Sequence, residues 1–278
     1  MSIRLRDVIM RELPQLRHEP IDKRIRATLG GRTVIDTTRA LLVWEPRRVV
    51  PTYAVPEADL DAEVMAAPAV SPVADDVGIE AMGAPRLGAV PVLDPSVPFR
   101  VRSTEGEVLV LHRDGREVEA FRAADPDLDG YLIVDFDGFD EWFEEDEPNV
   151  GHPRDPFHRI DIVHGSRHVL IKLGGEVVAE SRAPALLFEP PLPVRYYLPA
   201  GDVRMDLLAP SDTRTFCAYK GEASYLSHAD EPDVAWYYPA PLREAAEVAD
   251  RVAFFNEQVE IVVDGEPLER PVTPWSKR

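Results

Sequence analysis

The chain predicts a mainly β protein built from two copies of one unit, and three observations carry that reading. Short segments of alternating apolar residues recur along the 278 residues. Glycine pairs or Asp-Gly separate several of them at hairpin spacing. The stretch from Leu29-Gly-Gly31 to Trp44-Glu-Pro46 also returns without a gap as Leu173-Gly-Gly175 to Phe188-Glu-Pro190. After one residue of slippage, Tyr53-x-x-Pro56-x-x-Asp59 answers to Tyr196-x-x-Pro199-x-x-Asp202. Such a repeat sets the architecture before any local argument begins.

Residues 1–20 open with a short amphipathic helix through Leu5, Val8, Ile9 and Leu13. They lack the uninterrupted apolar run of a signal peptide. The first copy, 21–165, starts with a hairpin, Ile25–Leu29 and Thr33–Thr37 around Gly30-Gly31. Ala40–Trp44 follows as a strand, and the Ala- and Pro-rich stretch 66–98 lacks a steady period, which predicts a loop or partly ordered linker. Asp114-Gly115 joins Val108–His112 to Glu117–Phe121, and Tyr131–Phe136 is another strand.

The second copy, 166–266, repeats the hairpin as Val169–Leu173 and Val177–Ser181. Ala185–Phe188, Arg195–Leu198, Ala223–Leu226, Val234–Tyr237 and Val259–Val263 follow as strands. Leu242–Asn256 predicts a helix, with Leu242, Ala245, Ala249 and Val252 on one stripe behind Pro241. In the first copy Phe139–Glu145 is expected in the helix's place. His158–Val163, with a strand from Arg159, is then expected to match Gln258–Val263. The boundary falls near Gly165-Ser166, and 267–278 form a tail.

Composition narrows the partners. An apolar content of 45% with 29% charged residues is ordinary for a soluble globular chain, and no apolar run reaches membrane-spanning length. One cysteine can form neither an internal disulfide nor a multi-cysteine zinc site, so a cytoplasmic location is the default expectation. The net charge of −19 argues against nucleic acid and anionic membranes, leaving a small-molecule ligand as the expected partner. Eleven carboxylates and no Lys or Arg lie between Asp125 and Glu147, which makes that stretch a candidate docking face.

Cys217 is present in the second copy alone, in Phe216-Cys217-Ala218-Tyr219-Lys220-Gly221. A thiol three residues from a Lys suits a nucleophile; a small buried apolar group is the plainer reading. Lys220-Gly221 offers a point charge where the backbone can approach a ligand closely, or a simple surface turn. Asp202, Asp206 and Asp212 are spaced to hold a divalent ion. Asp202 has a counterpart in Asp59, however, so a capping role is favoured and no metal or cofactor is assigned. His152, His158, His164 and His168 near Asp155 and Asp161 offer the donors of a Zn or Fe site, but strand alternation sends His158 and Asp161 to opposite faces, so a hydrogen-bonded domain connector is the favoured reading. Asp125-Pro-Asp-Leu-Asp129-Gly130 imitates a calcium loop but has Phe136 where the bidentate Glu belongs. Nucleotide-binding glycine loops and a Gly-x-Ser-x-Gly elbow are absent from the sequence.

The run Arg195-Tyr-Tyr-Leu-Pro199, Asp202-Val, then Cys217-x-Tyr219-Lys220-Gly221-x-Ala-x-Tyr225 and Ala235-Trp236-x-Tyr238-Pro239 resembles the domain of unknown function 427 family. The resemblance covers about 167–266 well and 23–64 more faintly. Where the family usually has Cys-Pro-Tyr-Lys-Gly this chain has Ala218, and Leu226 stands in place of a frequent aromatic. The resemblance implies small β-tent domains, folded antiparallel sheets around a pocket. Some catalogues label the family a nucleotidyltransferase domain, although no residue pattern here spells out that chemistry. The expected ligand site, for a small polar or anionic molecule, comprises Tyr196, Tyr219, Lys220, Trp236, Glu189 and Asp202. Cys217 and Lys220 are the candidate catalytic pair if the protein is an enzyme, of nucleotidyltransferase or thiol type. A structural or interaction protein is the remaining alternative.

Overall fold

A computed structural model describes residues 2–67, 83–229 and 231–276. The chain divides into two compact units. The first runs to Pro85 and resumes over Pro91–Asp155; the second takes Arg86–Val90 and continues from Pro156. The division after Asp155 comes ahead of Gly165-Ser166.

Each unit pairs a seven-stranded with a four-stranded antiparallel sheet, and the two units share one strand plan. In the first unit the larger sheet runs Arg17–Pro20, Leu41–Trp44, Thr52–Pro56, Tyr131–Val134, Arg116–Ala123, Gly106–Arg113, Glu63–Ala66. In the second it runs Asp161–His164, Ala185–Phe188, Arg195–Pro199, Arg251–Phe254, Glu231–Tyr237, Gly221–His228, Ala209–Cys217. The smaller sheets are built on the predicted hairpins. Gly30 and Gly31, like Gly174 and Gly175, all have positive φ, the backbone of a type I′ turn matched to strand twist. Both hairpins also shift register at one place, between Ala27 and Thr28 and between Ile171 and Lys172.

Alternating side chains from the two sheets of each unit meet in a core. In the first it contains Ile25, Ile35, Leu42, Tyr53, Val55, Leu132 and Trp142. In the second it contains Val169, Ile171, Tyr196, Leu198, Val252, Phe254 and Ile261. At roughly 25 cal/mol per Å² of apolar area removed from water, these sheet-on-sheet faces dominate stability.

Three expectations are corrected. Leu242–Asn256 is not one α-helix: a 3₁₀ turn, Arg243–Val248, gives way to the strand Arg251–Phe254. Ala253 pairs with both Tyr197 and Trp236, so burial between two strands outweighs the helical stripe. Next, Glu141–Glu144 pairs with Ile25–Leu29 just as Glu260–Val263 pairs with Val169–Leu173. The segment Phe139–Glu145 therefore supplies the terminal strand of the first copy, not the helix's substitute. Asp161–His164 is instead the edge strand that opens the second copy, matching Arg17–Pro20.

Of the stretch 66–98 the structure describes both ends, with the short strands Arg86–Leu87 and Val90–Pro91 toward the far one. Residues 68–82 of it lie outside the described residues, but Val92 and Leu93 are fully buried. The buried Arg48 guanidinium donates to the carbonyls of Val97 (2.7 Å), Pro98 (2.6 Å) and Val101 (2.9 Å), which anchors its far end. The predicted N-terminal helix forms over Leu5–Glu12 and is exposed except for the half-buried Val8 and Met10, while Leu13 behind it is buried.

Candidate functional site

The second unit's site begins with a tight turn. Ala209–Cys217 ends at the thiol, and Gly221 starts the return strand at φ +92°, a conformation open to glycine. A Cβ on Gly221 would stand 3.3 Å from the Leu242 side chain, so the turn packs closely. The Lys220 carbonyl accepts from the Leu242 amide at 3.1 Å. Held in this way, the Lys220 side chain turns inward and is only 8% exposed.

Inside, the Lys220 ammonium donates to Glu189 Oε2 at 2.6 Å. Glu189 follows the strand Ala185–Phe188, and His158 Nε2 lies 3.6 Å from its other oxygen. Burial works against the Glu189 carboxylate, yet the Lys220 charge and hydrogen bond, with His158 close by, hold its pKa down to about 2. Burial likewise opposes the Lys220 charge, but Cys217, Glu189 and Tyr197 around it push its pKa above the ordinary lysine value. The pair is thus ionised and mutually neutralised.

Aromatic rings frame it. Trp236 Nε1 donates to the Tyr197 hydroxyl at 3.0 Å, with the rings edge to face at 6.0 Å. Burial raises the pKa of Tyr197, and of Tyr238 well above its usual value, so both phenols are neutral hydrogen-bonding groups. The Tyr219 ring is buried, 6.3 Å from the His158 ring, with the Arg159 guanidinium 5.3 Å above it. Cys217 is half-exposed.

Of the residues expected from sequence, the structure brings together Glu189, Lys220, Cys217, Tyr219 and Trp236. Tyr196 points to the opposite face of its strand, into the core between the sheets, and its neighbour Tyr197 stands at the site. Asp202 accepts from the Ser181 hydroxyl at 2.5 Å, as Asp59 accepts from Thr37 at 2.6 Å, a turn-fastening contact in both copies. Asp206 is exposed and paired with Arg204. Among the described residues no group of three or more His, Cys, Asp or Glu is placed to hold a metal ion. His164 and His168 pair separately with Glu247 and Glu180, and the Asp125 carboxylate caps the 3₁₀ turn Pro126–Leu128. The acidic stretch is threaded with cations: Glu144 meets Lys23, Asp140 meets Arg116, Asp146 meets Arg26 and Glu147 meets Arg154.

Sequence reasoning missed Tyr197 and His158. Both faces of Arg195–Pro199 are buried, so alternation could not say which tyrosine faces which layer. His158 is 31 residues from Glu189 and precedes the edge strand Asp161–His164; tertiary folding alone joins them.

The first unit has its own version of the charge pair. Glu45, after Leu41–Trp44, binds Arg102 at 3.1 Å, and both are buried. Ladder register sets Leu109 level with Leu226, because each pairs with the matching alanine, Ala120 or Ala235. Arg102 is therefore level with Tyr219. At the register positions of Tyr197 and Trp236 the first copy has Ala54 and Phe121. A buried Glu–cation pair is thus common to both copies, whereas the thiol, the imidazole and the tyrosines around it belong to the second.

These features define a class: a tandem antiparallel β protein whose two copies of one sheet plan each enclose a buried glutamate–cation pair. The chain belongs to the family described as domain of unknown function DUF427, whose profile matches residues 17–74 and 161–265, more than half of its length. No curated protein matches the chain.

Proposed function

We propose that the second unit binds a small polar molecule at the Glu189–Lys220 pair. What supports this is the pairing of a largely buried carboxylate with a buried ammonium at 2.6 Å beside His158, near Tyr197, Tyr238 and Trp236 and with Tyr219 against the His158 ring. Such a group offers a donor and an acceptor side by side in mostly apolar surroundings, the composition of a ligand site. Because Glu189 already meets the Lys220 charge, the geometry favours a neutral ligand with both donor and acceptor, such as an amide or a polar heterocycle, over a strong anion. A thermal-shift screen of neutral amides and heterocycles against the wild type and Glu189→Gln tests it. Hits that stabilise the wild type should lose their effect in the variant; hits retained in full would sink the proposal.

Thiol chemistry is the second reading, favoured by the half-exposed Cys217 beside Lys220. It expects Cys217→Ser to abolish a turnover that the same ligands support, while leaving their binding intact. The nucleotidyltransferase reading has less behind it, since Asp202 and Asp206 are engaged by Ser181 and Arg204.

A further inference from the structure

Arg195 stands two residues before Tyr197 on one strand, so the two share a face. Its guanidinium is buried and hydrogen-bonded through both terminal nitrogens. It donates to both Glu257 oxygens, at 2.7 and 2.8 Å, and to Asn256 Oδ1 at 3.0 Å. Three rings surround it, with centroids at 5.6 Å for Trp236, 5.8 Å for Phe255 and 5.3 Å for Trp275.

Two of the rings are fixed by the sheet, and the third arrives from the tail. Trp236 and Phe255 lie 4.5 Å apart and are 7% and 6% exposed, whereas Trp275 remains 39% exposed although it covers the same guanidinium. The tail is fastened by backbone bonds, Gly88 to the Val272 carbonyl at 2.9 Å among them, and by the buried Thr273 side chain. The Thr273 hydroxyl donates to Glu257, the carboxylate that already holds Arg195, and accepts from the Trp275 amide at 3.2 Å. Among the described residues the first copy has no such box: Thr52 occupies the register position of Arg195 and bonds the Val134 carbonyl instead.

We propose that Arg195, Trp236 and Phe255 form a binding subsite for a neutral planar ring, and that Trp275 fills it as a tethered occupant. The ring chemistry follows from the walls: a guanidinium face and two aromatic faces attract a π system, by stacking and cation–π contact. Neutrality follows from Glu257, which already cancels the Arg195 charge, so an anionic ring would gain no free cation. Trp275 lies outside the strands, on a turn tied by the Thr273 hydroxyl and by the Gly88 amide on the Val272 carbonyl, so a free ring can replace its side chain without disturbing a sheet. Trp236, whose indole nitrogen bonds Tyr197, joins this subsite to the polar pair. The inference is independent of what binds at Glu189 and Lys220.

Chemical rescue with free indole tests it. Trp275→Ala should lower the unfolding temperature of the second unit. Indole at about ten times its Kd should then raise the variant's midpoint by roughly 3–6 °C and leave the wild type unmoved. Trp275→Leu keeps apolar bulk without a ring; it should show the same indole-dependent rise, and it stands in if the alanine variant does not fold. A shift of equal size in wild type and variants, or no shift in either variant, overturns the proposal. Adding Glu189→Gln to Trp275→Ala should leave the indole shift unchanged, so failure of the polar-ligand reading would not pass for failure here.

Discussion

Replacing Lys220 by Met removes the ammonium that donates to Glu189 and leaves a largely buried carboxylate, its side chain 14% exposed. Removing one partner of a buried pair costs about 3–5 kcal/mol. The carboxyl itself gives a similar figure, since depressing it from 4.5 to about 2 corresponds to roughly 3 kcal/mol of preference for the ionised form. The sign with pH follows. In the wild type the Glu189 contribution is fully present above about pH 4.5 and is lost as pH falls through about 2. In Lys220→Met the main opposing charge is gone, so burial raises the carboxyl instead and the penalty grows as pH rises above the ordinary glutamate range. The gap between wild type and variant should therefore be largest at neutral pH and shrink toward pH 4.

Urea unfolding of fluorotryptophan-labelled protein, read by fluorine NMR, is the assay. Signals from Trp236 and Trp275 report the second unit separately from Trp44 and Trp142 in the first. With a urea slope near 1.5 kcal/mol per molar, the variant's midpoint should fall by roughly 2 M or more at pH 7. Adding Glu189→Leu should restore stability to within about 1 kcal/mol, because an apolar pair can replace a buried ionic one. A midpoint equal to the wild type's at pH 7, or a loss of the same size at pH 4, would refute the reasoning.

Two further outcomes are expected. In the first unit Asp135 Oδ1 is buried without a hydrogen-bond partner, and burial raises its carboxyl above the ordinary value. Asp135→Asn should therefore raise the first unit's urea midpoint at pH 7 and give no gain at pH 3, where the native acid is already protonated; a loss at pH 7 would count against the account. Gly221→Ala forces a side chain to φ +92° against Leu242 and should destabilise the second unit by about 1–3 kcal/mol. It should also change the alkylation rate of Cys217, because the turn that presents the thiol must shift; an unchanged rate would show that the turn does not depend on glycine.

Much of the scaffold was legible in the sequence. The Gly-Gly pairs named both hairpins, since only residues tolerant of positive φ close a type I′ turn, and the Trp/Phe-Glu-Pro repeat marked the two glutamates that prove to carry the buried pairs. The Arg251–Phe254 strand was misread because a short apolar stripe fits a helix and a doubly buried strand alike. The site was only half legible. Glu189 and Lys220 could be named from the repeat and the loop, but not that they neutralise each other.

By itself, then, the sequence determined the two-copy β plan, its hairpins and the loop that holds Cys217 and Lys220, because these depend on local backbone conformation and on periodicity. Only the tertiary structure decided that Tyr197 and not Tyr196 faces the site, that His158 reaches Glu189, and that Trp275 returns from the tail to cover Arg195. Those contacts join residues far apart in the chain, and they are set by which sheet face each strand buries, a choice that pairing and packing make together.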